Sequence, residues 1–124
     1  MLAIHGASTQ YGKNLIQEQE VMNNISDMIM ETYVSESTLL RVQKLESMNK
    51  DMPVFNAILD VNIYEAAHKI RKAAFDAVHS FAVPELACKL KKVIDILTAT
   101  ECVNIKDARR MIADKLIGDN TYKF

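Results

Sequence analysis

The chain has 124 residues, 49% of them hydrophobic and 25% charged, with 15 Lys and Arg against 16 Asp and Glu. That size suits one domain and lets roughly two-thirds of the unfolded surface be buried, so folding requires neither a metal nor a disulfide. The formal net charge of -1 excludes the basic excess of a nucleic-acid binder, and no apolar run approaches the ~20 residues of a membrane span.

Met1–Lys13 (MLAIHGASTQYGK) is small, polar and aperiodic. Residues 1–20 are therefore expected to be a linker or frayed terminus, and residues 21–124 a helical bundle domain. From about Asn14 to Ser47 a helical period sets in. Met22, Ile25, Ile29 and Tyr33 recur at three- and four-residue steps and Leu40 falls two turns further on, with Met28, Leu39, Val42 and Leu45 beside them. Neither Gly nor Pro falls between Lys13 and Met52, so one long helix is expected, with Asp51 capping and Pro53 entering the first turn of the next.

The second long helix should run from about Val54 to Phe81, with Phe55, Ile58, Ile70 and Val78 on its apolar face. Its alanines, among them Ala66, Ala73 and Ala77, favour the helix and permit close approach of a neighbour. Pro84 restarts the chain. A third helix, about Glu85 to Thr98, sets Leu86, Leu90, Val93, Ile94 and Leu97 opposite Lys89, Lys91 and Lys92. Asn104 reads as the N-cap of a fourth helix carrying Ile105, Ala108, Ile112, Leu116 and Ile117, which Gly118 should stop. Tyr122 and Phe124 are expected to clip the tail onto the bundle. Two long and two shorter helices with no strand predict an all-α protein, an up-and-down four-helix bundle.

A search for chemistry finds little. Three glycines cannot make a dinucleotide fingerprint or a phosphate loop. Cys88 and Cys102 are neither a CxxC pair nor a disulfide framework, and read as reduced packing residues of a cytoplasmic protein. A di-metal bundle needs Glu-x-x-His on two different helices. Here Glu65-x-x-His68 and the weaker Asp76-x-x-His79 share one, roughly 16 Å apart along its axis. A small di-metal enzyme using Glu36, Glu65 and His68 is thus the weaker alternative, and the histidines read as partly exposed. Glu36 follows Ile29 and Tyr33 on the apolar stripe, so it is expected inside, ion-paired to Arg71 or Arg41. No nucleophile or second carboxylate accompanies it, and no catalytic, cofactor-binding or metal-binding residue is assigned; Glu36, Arg41, Arg71 and Tyr33 are structural or interaction candidates. The basic cluster of Lys89, Lys91, Lys92, Arg109 and Arg110 reads as a solvated face. From Met52 onward, 11 bases face 9 acids, too small an excess for membrane or nucleic-acid binding.

The stretch Ile25–Leu45 (ISDMIMETYVSESTLLRVQKL) resembles a helix of the C-terminal α-domain of acyl-CoA dehydrogenases: an acidic-Met pair, then Glu, then Leu-Leu and a basic residue. More broadly, residues 20–124 resemble the extra helical domain beyond the catalytic part in the very-long-chain branch. Tyr64-Glu65-Ala66-Ala67-His68-Lys69-Ile70-Arg71 and the terminal Tyr122-Lys123-Phe124 add to the likeness. The resemblance implies a parent enzyme that oxidises fatty acyl-CoA to 2-enoyl-CoA with a glutamate base and FAD, both housed in other domains. No base or flavin-contacting residue carries over, so no cofactor is expected in this chain, and Glu36 aligns with a helix-interior acid. The implied role is packing against the catalytic domains of the same polypeptide, or homodimerisation. The family's membrane-contact segment precedes the bundle and is here short and polar, so membrane contact is not expected. A free-standing helical module binding a partner helix is the other alternative.

Overall fold

The computed structural model describes residues 1–48 and 52–121. Among them there is no strand, and five α-helices and a short 3-10 helix follow in order: α1 (Leu2–Tyr11), the 3-10 helix (Gly12–Gln17), α2 (Gln19–Ser47), α3 (Met52–Phe81), α4 (Pro84–Leu97) and α5 (Ile105–Asp119). The expected two long and two shorter helices are α2 to α5. The cap assigned to Asp51 and the clip assigned to Tyr122 and Phe124 lie outside the described residues.

The first difference from expectation is at the N-terminus, where residues 1–20 are helical rather than a frayed linker. Ala7 is 0% exposed, and Ile4, Tyr11 and Leu15 pack beside it. The cause is small side chains. A Cβ on Gly6 would lie 2.5 Å from Phe81 Cε2, so glycine is what lets α1 approach that ring. Tyr11 Oη donates to the Ser80 carbonyl at 2.8 Å, satisfying one of the acceptors that the last turn of α3 leaves free. Gly12, at φ 54°, ends α1 and donates its N–H to the Ser8 carbonyl.

Boundaries further along follow local chemistry. Val83 is extended, as the residue before a proline must be, and Pro84 then opens α4 at a position where no N–H is needed. Asn104 caps α5 through its side-chain oxygen, which accepts from the Asp107 N–H at 3.2 Å. Asn104→Ala is expected to cost about 1 kcal/mol, read as a lowered urea midpoint at unchanged slope. Gly118 does not stop α5. The helix runs on to Asp119 and closes at Asn120, whose left-handed φ of 48° an asparagine tolerates.

Two compact units divide the chain, and neither is continuous in sequence. The first joins Met1–Tyr33 to Ala66–Ala99. Its core is Ala7, Val21, Ile25, Ala74, Ala77, Val78, Phe81, Ala87 and Ile94. Small alanines on α3 let its neighbours close in, and Val78 and Phe81 supply bulk. The second unit joins Val34–Glu65 to the residues from Thr100 onward. Val42, Leu45 and Phe55 form its core with Met52, Ile58 and Leu59 packed against them. Arg109 on α5 donates to Glu65 on α3 at 2.7 Å there.

Candidate docking surface

The feature that separates this molecule from a self-contained bundle lies on α2. Within the first unit, α2 turns Val21, Ile25 and Met28 toward the core. The face carrying Met22, Ile29, Met30 and Tyr33 is left exposed, with Ile29 at 56% and Tyr33 at 70%. They fall at i, i+7, i+8 and i+11, with Tyr33 three and four residues beyond Met30 and Ile29, and so line one side of the helix. A helix apolar on two faces has one more face than its own core can cover. Uncovered apolar stripes of this kind mark interaction sites.

The four candidate residues are not gathered into one cluster. Tyr33 stands on the exposed stripe of α2. Glu36, expected inside, is exposed and has no ion-pair partner among the described residues; Arg41 is likewise exposed. The correction has a simple cause: the stripe to which Glu36 belongs is the outward one. Arg71, expected to reach Glu36, instead pairs with Asp95 on α4 and lies 5.5 Å over the Phe75 ring. Both partners of that pair are about two-fifths exposed, so it orients α4 on α3 more than it stabilises the fold.

The apolar face expected on the third helix is only partly kept inside: Ile94 is buried and Leu90 half-buried, and the rest lies open. On α4, Leu86, Val93, Ile96 and Leu97 face outward, Leu97 at 72%. The signal lay in the sequence, since Leu86, Leu90, Val93 and Leu97 are spaced four, three and four. Beside them, Lys89 and Lys92 have no ion-pair partner among the described residues, while Lys91 lies 5.8 Å over the Phe75 ring. Elsewhere in this unit Lys69 pairs with Glu31 at 3.0 Å. Lys72 is held above its ordinary value by its hydrogen bond to Asp76, and then by the charge of that carboxylate.

Cys88 and Cys102 are free thiols and exposed, so neither is the packing residue expected; helix registry turns Cys88 out, and Cys102 lies in the loop before α5. His68 and His79 are exposed, as expected. Glu65 of the Glu-x-x-His motif is taken by Arg109. Among the described residues, no group of three His, Cys, Asp or Glu side chains is placed to hold a metal ion, and no helix is long and apolar enough to cross a membrane.

Comparison with known proteins places this architecture. The family described as acyl-CoA dehydrogenase, C-terminal domain, matches residues 1–93, and the chain belongs to that family. The crystal structure of an acyl-CoA dehydrogenase complexed with FAD from Bacillus anthracis superposes with a TM-score of 0.94 at 25% identity, over 99% of this chain and 22% of that one. The chain thus spans less than a quarter of that protein's length. No curated protein matches the chain.

Proposed function

We propose that this chain is a non-catalytic helical domain of an FAD-dependent acyl-CoA dehydrogenase of the very-long-chain-like branch, acting in the cytoplasm on fatty acyl-CoA oxidation to 2-enoyl-CoA. Its own work is to pack against the catalytic domains of the same polypeptide and to support a homodimer. Residues 21–124 are the bundle domain, and residues 1–20 are a helical element seated on it.

The observation that carries this reading is the second apolar stripe of α2. Burying a large apolar side chain is worth about 1.5–3 kcal/mol. Met22, Ile29, Met30 and Tyr33 together therefore represent a large free energy that only another domain or subunit can recover. Tyr33 is the anchor type favoured at such interfaces, with its ring to bury and its hydroxyl to keep a partner. Glu36 and Arg41 then belong to the polar rim. FAD and the glutamate base belong to the parent's other domains.

The isolated chain is the material for the test. It is expected to emerge from refolding in excess FAD without bound flavin and to leave an electron-acceptor dye unreduced in the presence of long-chain acyl-CoA. Flavin retained through gel filtration, or acyl-CoA-dependent dye reduction, would overturn the reading.

A further inference from the structure

We propose that Glu36 decides which side of α2 the chain buries, by barring the side that carries Ile29, Tyr33 and Leu40 from the core. Two stripes run along this helix, about 140° apart around its axis. The inner one contains Val21, Met28, Ser35, Thr38, Val42 and Leu45, all buried or half-buried; the outer one contains Met22, Ile29, Tyr33, Glu36 and Leu40, all exposed. Over the middle of α2 the stripe kept inside is the more polar of the two. There Met28, Glu31, Ser35 and Thr38 face in, while Ile29, Tyr33, Glu36 and Leu40 face out. That choice carries a cost. Ser35 Oγ on α2 and Asn62 Oδ1 on α3 are both buried, and neither has a hydrogen-bond partner among the described residues. Apolar burial alone does not explain why Ile29, Tyr33 and Leu40 stay in water.

Glu36 supplies the reason. It lies three residues after Tyr33 and four before Leu40, so turning either side chain inward carries the carboxylate in with it. No cation pairs with Glu36 among the described residues. An unpaired carboxylate in an apolar seam costs more than one apolar side chain returns. The inner stripe has an acid of its own, Glu31, but Lys69 engages it at 3.0 Å. Glu36 is therefore a positioning residue. Because α2 is one continuous helix over Gln19–Ser47, the phase set at Glu36 also holds Tyr33, a single turn away, on the outside. This holds whatever surface covers the outer stripe in the assembled protein, and so stands apart from the docking reading.

A buried reporter on the full chain reads the turn. Val42→Cys introduces a thiol on the inner stripe, at a position only 5% exposed. Its alkylation by iodoacetamide, followed by peptide mass mapping, is resolved from that of the exposed Cys88 and Cys102. In this background Glu36→Leu is expected to speed alkylation at position 42 about tenfold, by raising the population in which α2 has turned. The urea midpoint should not fall, which separates turning from global unfolding. Glu36→Ala should shift the rate in the same direction by less, and remains readable if the leucine variant aggregates. Glu36→Lys keeps a charge on the outer stripe and should leave the rate unchanged. An unaltered rate in both uncharged variants, an equal rise in Glu36→Lys, or a rise that only tracks a lowered urea midpoint would each overturn the proposal. Flavin retention tests the docking-domain reading alone and the alkylation rate tests the role of Glu36 alone, so the two failures are distinguishable.

Discussion

Deleting Met1–Gln17 is expected to lower the stability of the chain by about 2–4 kcal/mol and its melting temperature by roughly 10 °C. The segment contributes Ala7 to the core of the first unit and packs Ile4, Tyr11 and Leu15 against it. Its loss would bare Phe81 and Ala77 and free the Ser80 carbonyl that Tyr11 now occupies. The result would be partial loss of helicity with α5 least affected, because α5 belongs to the other unit. A thermal melt followed by circular dichroism checks the expectation. An unchanged melting temperature would mean that the segment is a mere tether.

The second large effect is expected at Gly6. Gly6→Val places carbon where the Phe81 ring lies, with even a bare Cβ meeting Cζ at 2.6 Å. Phe81 is itself buried and cannot swing away without disturbing Val78 and Ala77. Overpacking of this kind costs about 1–3 kcal/mol, which outweighs the few tenths that replacing a helical glycine would return. The cause is separable by a double-mutant cycle with Phe81→Leu. Shortening the ring makes room, so the double variant should lose less than the sum of the singles by about 1 kcal/mol. Strict additivity would place the strain elsewhere.

Element type was legible where apolar residues recur along a helix and where punctuation is strong. Pro84 and Asn104 mark the starts of α4 and α5 because each changes the hydrogen-bonding options of the backbone at that point. Two things were not legible. The N-terminal helix is buried through Gly6 and Ala7, and contact made by the absence of a side chain leaves no apolar period to read. On α2 the period was visible but its phase was not. One apolar stripe contains Val21, Ile25 and Met28 and the other Met22, Ile29 and Tyr33, and periodicity cannot say which of two competing stripes a domain keeps for itself. Glu36 was expected inside for that reason alone. The family resemblance read from Ile25–Leu45 held at the level of the acyl-CoA dehydrogenase C-terminal domain.

The interleaving of the two units has a consequence for how the chain is made. Contacts such as Tyr11 with Ser80 span 69 positions, so the opening segment leaves the ribosome long before the residues that shelter it exist. At roughly 5–20 residues per second, that interval amounts to several seconds in which Val21, Ile25 and Met28, later sheltered in the core of the first unit, are bare to solvent. Nascent chains should therefore depend on holding chaperones during that window, more than the helical content alone suggests for a rapid folder.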